Sequence, residues 1–337
     1  MKKSSAKDVA KAASVSPSTV DRVLNNRGGV SPDKEKRVLE WARKLKMDRA
    51  LNQRVARTLR IAVLIQPPSN PFHGRMQDAF ESANRLFPQF NLQFRIFHIN
   101  PAQPRGTARL VDHLSADYQG IVISAAHHPE ILSAISMIMR PGFPVITLVT
   151  DMRGIEGVTY IGPDNRKAGR VAGELMGRLI GNEGGDIIVV TGLLSMLGHE
   201  EREMGFRSVL RERFPNCSIC AVLESQESPE RAGELVNVVL SSNPAVRGIY
   251  NASAGARPVV EAIKTLASPD RITFITHELT DERRSLLRQG LIDVIIDQNP
   301  ELEVRRTVEY LAHFFGRRDE APGSMITPIS IHMRENC

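Results

Sequence analysis

The sequence predicts two fold classes in one chain: an all-α helix-turn-helix head, and an α/β body of two doubly wound parallel-sheet subdomains. Three observations point there. Of 44 Lys and Arg and 38 Asp and Glu in 337 residues, 16 and 6 fall in residues 1–60, leaving 28 and 32 for the rest. The first 45 residues contain three short runs with apolar side chains at helical spacing, two of them opened by Ser-Pro. From residue 59 onward, short apolar runs alternate with helical patterns, the signature of parallel sheets covered on both faces. The expected division is 1–47 for the head, 48–58 for a linker or hinge, and 59–337 for a ligand-sensing body.

In the head, Asp8–Ala13 forms the first helix. Ser16 is suited to cap the second, because its hydroxyl can accept from a free N–H of the first turn, and Pro17 at the first helical position has no hydrogen bond to lose. That helix, Pro17 to about Leu24, places Val20, Val23 and Leu24 on one face and Ser18, Thr19 and Arg22 off it. Val30-Ser31-Pro32 repeats the start, and a third helix runs to about Leu45 with Val38, Leu39, Ala42 and Leu45 inward. Two helices joined by a tight turn make a helix-turn-helix, whose second member fits the DNA major groove. Arg22 can give two hydrogen bonds to guanine, Ser18 tolerates any base, and Thr19 with the helix start suits phosphate. A basic head on a body of net negative charge points to a polyanionic partner for the head alone.

In the body, Leu59–Ile65 reads as the first strand, followed by a helix over Met76–Leu86, a strand at Leu92–His98, a helix near Thr107–Leu114 and a strand at Gly120–Ser124. A helix near Pro129–Met139 and a strand at Pro144–Val149 close the first run. The cycle restarts with a helix at Lys167–Leu179, then a strand at Asp186–Val190, a helix at Glu201–Arg213, a strand at Ser218–Leu223, a helix at Pro229–Leu240 and a strand at Gly248–Tyr250. Two further strands, Ile272–Thr276 and Leu291–Ile296, follow. Two such runs predict two subdomains with ligands in the crevice outside the carboxyl ends of the strands.

Asp8-Val9-Ala10, Val15-Ser16-Pro17-Ser18-Thr19-Val20, Arg22-Val23-Leu24-Asn25 and Val30-Ser31 resemble, without an internal gap, the signature head of the lactose-repressor (LacI/GalR) family of transcriptional regulators. The resemblance implies that Pro17, Ser18 and Arg22 read bases while Ser16, Thr19 and Asn25 hold the DNA backbone. One departure is Asp21, where a serine is usual; its charge would weaken phosphate affinity or favour a base with an exposed amino group, such as cytosine. The family also implies a hinge helix whose leucine wedges into the minor groove. Here Met47-Asp48-Arg49-Ala50 replaces the usual aromatic-X-Pro-Asn opener, leaving Leu51 or Val55 as the wedge, or a basic linker touching phosphates through Arg49, Arg54 and Arg57.

Behind its head the family carries a body like a type I periplasmic sugar-binding protein, and the resemblance extends there. Asn70-Pro71-Phe72 follows the first strand, with His73 where a second phenylalanine is common. Arg202-X-X-Gly205-Phe206 opens a helix, and Asn251, His277-Glu278 and Asp297-Gln298-Asn299-Pro300 each follow a strand. The implied effector contacts are Asn70, Phe72, His73, Arg202, Asn251, Glu278 and Gln298, with Asp151 a further acceptor. An apolar ring face among fixed donors and acceptors suits a sugar or polyol; nucleobases are bound by relatives. The expected molecule is a homodimer that grips operator DNA, as a repressor, and answers to a small ligand. The alternative is a solute-binding module without DNA-binding activity.

Other signals lead elsewhere. Cys217-Ser218-Ile219-Cys220 has a CxxC spacing but no second Cys/His pair, and reads as strand. His127-His128 lack a partner at ligand spacing, and Gly181–Gly185 precedes a strand instead of opening a helix, so it is no phosphate cradle. Neither a Ser-His-Asp set nor paired carboxylates stand out. The expectation is no enzyme, no metal and no cofactor. No apolar run approaches the ~18 residues of a membrane helix, and Met1-Lys2-Lys3 leads into charged residues, which predicts a cytoplasmic protein without membrane attachment. Three cysteines are too few for a disulfide framework.

Overall fold

A computed structural model describes residues 5–25, 27–45, 57–266 and 272–337. The linker residues Met47 to Ala56, with the candidate wedges Leu51 and Val55 and the candidate phosphate contacts Arg49 and Arg54, lie outside them.

The head holds α1 (Ala6–Ala13), α2 (Pro17–Leu24) and α3 (Pro32–Lys44). α1 starts two residues ahead of expectation because Ser5 and Asp8 cap it reciprocally: the Asp8 carboxylate accepts from the Ser5 N–H at 2.7 Å, and the Asp8 N–H donates to the Ser5 hydroxyl. The Ser16 hydroxyl accepts from the Thr19 N–H at 3.1 Å, so the Ser-Pro start acts as anticipated. Val9, Ala10, Ala13, Val20, Leu24, Val38 and Ala42 form the head's own small core.

The body runs β1 (Leu59–Ile65), α4 (Pro71–Leu86), β2 (Leu92–His98), α5 (Pro104–Asp117), β3 (Gly120–Ile123), α6 (Pro129–Ile138), β4 (Val145–Leu148) and β5 (Thr159–Pro163). It continues with α7 (Asn165–Ile180), β6 (Gly185–Thr191), α8 (Leu197–Arg213), β7 (Cys217–Glu224), α9 (Pro229–Ser242), β8 (Val246–Asn251) and α10 (Ala256–Lys264). The last elements are β9 (Thr273–His277), α11 (Asp281–Arg288), β10 (Val294–Asp297), α12 (Pro300–Phe314), β11 (Ile326–Thr327) and β12 (Ser330–His332). The sequence reading lacks β5, α10, α11, α12, β11 and β12. β5 ends in Gly-Pro, and the last two strands are two and three residues long, so none offers a periodic signal. α4 begins at Pro71, five residues earlier than expected, because the Asn70 side chain accepts from the Phe72 N–H and caps it.

The first sheet has the order β11-β5-β4-β3-β1-β2 and the second β12-β10-β9-β8-β6-β7. Disregarding the outermost short strands, the two halves repeat one order, and all pairs are parallel except β10 with β12. Central strands such as β1 are buried along most of their length, whereas edge strand β7 beyond Cys217 alternates exposed and half-buried. Each sheet has a core on both faces. The chain does not finish one half before starting the other. α12 returns to the first half, where Val304, Val308, Leu311 and Ala312 pack with Ile61, Val63 and Phe80. Three crossovers therefore join the halves, between β5 and α7, β10 and α12, and β11 and β12. No helix among the described residues is long and apolar enough to cross a membrane.

Candidate functional site

On the head, the N-terminus of α2 presents Ser16, Pro17 and Ser18 to solvent, with Arg22 one turn on, while Thr19 and Asn25 are half-buried. The Ser16 hydroxyl lies 2.8 Å from both the Ser18 and Thr19 hydroxyls, so the helix start is a cluster of neutral donors and acceptors next to free N–H groups. Asp21 does not stand as a lone charge. Its carboxylate pairs with Arg27 at 3.0 Å and accepts from the Asn25 amide, so part of its repulsion toward DNA is cancelled within the head.

In the body, the carboxyl ends of both sheets face one another across a cleft lined from the first half by Gln66, Asn70, Phe72, His73, Ser124, Val149 and Thr150. The second half supplies Met196, Gly198, His199, Arg202, Glu227, Ser253, Glu278, Arg283 and Gln298. The halves touch directly. The His127 N–H donates to the Ser195 carbonyl at 2.8 Å, the Gly198 N–H to the Thr150 hydroxyl at 3.0 Å, and Arg153 pairs with Glu201. Arg75 on α4 reaches the Leu279 carbonyl at 3.0 Å, Asp297 at 3.4 Å and Glu301 at 2.8 Å.

The floor of the cleft is a network centred on Arg202. Its guanidinium donates to Asn165 at 2.8 Å, the Ala252 carbonyl at 3.2 Å, Glu278 at 3.4 Å and Gln298 at 3.0 Å. Gln298 donates on to Glu278 at 3.0 Å, and Arg283 holds the other Glu278 oxygen at 2.9 Å while donating to the Ser253 carbonyl. All four side chains are buried, so each charge depends on these partners. Glu278 itself sits at a φ of 57°, a left-handed backbone that aims its carboxylate inward. Beneath the floor, Tyr250 stacks on Phe206 with centroids 4.5 Å apart, and its hydroxyl meets His277 Nε2 at 2.7 Å. Burial holds the His277 imidazole neutral, far below its ordinary range.

Other titratable groups of the lining are shifted by burial. Burial depresses His73 and His199 to about 3, so both are neutral at physiological pH. Burial, and then the charge of Glu278, raises Glu227 to about 7.

The sequence-singled residues divide. Asn70, Phe72, His73, Arg202, Glu278 and Gln298 converge on the cleft. Asn251 lies beneath it, its amide occupied by a turn: the oxygen accepts from the Ser253 N–H at 3.0 Å and the nitrogen donates to the Ala254 carbonyl at 3.1 Å. Asp151 lies beside it, accepting from the Met152 N–H at 2.7 Å and facing the Thr147 hydroxyl at 3.4 Å. Sequence reasoning missed Gln66, Ser124, His199, Glu227 and Arg283. Only their positions just past strands or early in helices marked them, and no motif singles them out. The CxxC pair lies in β7, with Cys217 buried and Cys220 exposed.

Comparison with known proteins matches residues 61–316 to the family described as "Periplasmic binding protein domain" and residues 5–47 to "Bacterial regulatory proteins, lacI family". The Ribose import binding protein RbsB of Escherichia coli is 24% identical over 246 residues, 72% of this chain and 79% of its own. The HTH-type transcriptional regulator DegA of Bacillus subtilis is 24% identical over 280 residues, 81% of each chain. Among solved structures, a solute-binding protein from Burkholderia graminis in complex with D-arabinose superposes with a TM-score of 0.76 at 20% identity, over 84% of this chain and 98% of the other. One from Actinobacillus succinogenes with bound D-allose gives 0.73 at 19%, over 82% and 98%.

Proposed function

The chain belongs to the periplasmic binding protein domain family and, through its lacI-family head, is a ligand-controlled transcriptional regulator; we propose that its ligand is a sugar or polyol held between the two subdomains and that it represses at operator DNA. One observation carries this reading: a single cleft draws polar side chains from both halves of the body, so one small molecule can touch both at once. Arg202, Glu278 and Gln298 hold one another in a fixed polar floor, Asn70, His73, Ser124 and Glu227 add donors and acceptors, and Phe72 an apolar face. That is the mixed chemistry of a sugar, polar at its edges and apolar on its ring faces. The ribose-binding and arabinose-complexed relatives support the same ligand class.

The protein acts as a cytoplasmic homodimer. Two heads on a two-fold axis match a pseudo-palindromic site, with Arg22 reading guanine and Ser16, Pro17, Ser18, Thr19 and Asn25 setting the register. Ligand binding biases the angle between the halves about their three crossovers, and with it the spacing of the heads. A ligand shifts this equilibrium only by its difference in affinity for the two states, of the order of 1–3 kcal/mol for a useful response.

The test is fluorescence anisotropy of a labelled operator fragment with purified full-length protein. Tight binding that falls steeply with salt, and that changes on adding a neutral sugar or polyol, supports the reading. Absence of DNA binding at low salt leaves a solute-binding module instead, and DNA binding indifferent to every sugar and polyol sinks the ligand assignment.

A further inference from the structure

The polar capacity that the cleft leaves unmet is not that of its arginines. Arg202 and Arg283 are the cleft's only fixed cations among the described residues, and their guanidinium groups are directed at Glu278, Gln298, Asn165 and backbone carbonyls. Elsewhere in the lining, three buried polar atoms have no hydrogen-bond partner: His73 Nδ1, Ser124 Oγ and Glu227 Oε1. Buried polar atoms are rarely left unsatisfied, so three lining one cleft mark where a ligand's polar groups belong.

The surrounding backbone is built to hold Glu227. The residue follows β7 with φ of 63°, and Gln226 before it has φ of 55°. Two successive non-glycine residues in the left-handed region are strained, and such strain persists where the surroundings enforce it. Gly192 makes the room: a Cβ there would stand 1.7 Å from Glu227 Oε1 and 2.7 Å from His199 Cε1. The other carboxyl oxygen lies 3.5 Å from Asn70 Nδ2 on the far subdomain, and neutral His199 flanks the group at 3.5 Å without pairing as an ion. The carboxyl is half-ionised near neutrality, so it can accept from a ligand hydroxyl or donate to one.

We propose that Glu227, His73 and Ser124 form a hydroxyl-reading subsite that makes the cleft selective for an uncharged polyol or sugar over its phosphorylated or carboxylated analogue. An anionic group placed here meets a carboxyl and two neutral imidazoles; the guanidinium groups of Arg202 and Arg283, whose charges reach Glu227, are already paired with Glu278. A hydroxyl meets acceptors and donors already in place. This rests on the sugar-or-polyol reading above and narrows it.

The test is calorimetric titration of the full-length protein with D-ribose, D-arabinose, D-allose and myo-inositol, beside D-ribose 5-phosphate and D-ribonate. The expected result is binding of at least one neutral compound, with the phosphate and the acid at least a hundredfold weaker. Glu227→Ala should weaken the neutral ligand at least tenfold with its melting temperature preserved, and Glu227→Gln, which keeps an acceptor and a donor, should lose less than Ala. Phosphate or acid binding tighter than the neutral compounds overturns this proposal and leaves a sugar sensor standing. Neutral-ligand affinity within twofold in Glu227→Ala also overturns it. If no member of the panel binds, the sugar reading fails and the subsite with it.

Discussion

Replacing Gly169 by alanine tests how the second subdomain places its central arginine. Gly169 lies on α7, and an added Cβ would stand 2.0 Å from the Arg202 carbonyl oxygen, 2.7 Å from its carbon and 2.8 Å from its Cα. All three are backbone atoms of α8, so no side chain can swing aside. Restoring a contact of about 3.4 Å requires the helices to part by roughly 1.4 Å at this point, and overpacking of that kind costs about 1–3 kcal/mol. The shift also pulls on the Arg202 guanidinium, whose bonds at 2.8–3.4 Å have little slack before they cease to be hydrogen bonds. Each such charge-assisted bond is worth about 1.5–3 kcal/mol. Alanine recovers at most about 1 kcal/mol of helix propensity. The net expectation is a loss of about 3 kcal/mol, read in a thermal melt as a fall of roughly 6–12 °C for a domain of this size. The control is Gly106→Ala on α5, where the nearest atom would be 4.0 Å away; it should be neutral or stabilising by up to about 1 kcal/mol. A Gly169→Ala melt equal to or above wild type would refute the close-packing argument.

Three other outcomes follow from the same geometry. Arg22→Ala should cost about 1–3 kcal/mol in operator binding and relax preference at one base position; anisotropy against a set of single-base operator variants checks it, and an undiminished preference excludes Arg22 as a base reader. Asp21→Ser removes the partner of Arg27 and Asn25, so DNA affinity at low salt should rise and the salt slope steepen by up to about one unit; an unchanged slope means that the released Arg27 reaches no phosphate. His73 is held neutral to about 3 in the folded protein against its ordinary 6.5. Between those values the folded chain binds fewer protons than the unfolded one, so His73 contributes stability that is complete above pH 6.5 and lost as pH falls. Linkage caps this share at about 5 kcal/mol, and denaturant titrations from pH 7 to pH 4 should show a shallower loss for His73→Phe than for wild type. Equal pH slopes would place His73 in contact with water.

Glu278 shows why part of the site was readable and part was not. Its position just past an apolar strand, like those of Arg202 and Gln298, is a local property, and in an alternating α/β chain strand ends gather at one edge of each sheet. Local signals also fixed the Ser16 cap of α2. Asn251 and Asp151 share that placement, yet their side chains are taken by turns a few residues away. Whether a polar group faces a cavity or its own backbone depends on a torsion that no spacing records.

Residues far apart in sequence meet only through packing. Glu227 stands 157 positions from Asn70, and Arg283 reaches Glu278 from a helix whose polar sequence gave no sign of a buried arginine. α12 carries an ordinary amphipathic pattern, but the pattern does not say which sheet it covers; the choice of the first is made by the fit of Val304, Val308 and Leu311 against it. The sequence by itself determined the basic three-helix head, the strand-helix alternation and the residues past the strand ends, because charge, capping and periodicity are local. Tertiary structure alone decided that the halves interlock through three crossovers, that two arginines share one carboxylate, and that Glu227 Oε1 is buried in the cleft lining without a hydrogen-bond partner, because those outcomes depend on which surfaces exclude water together.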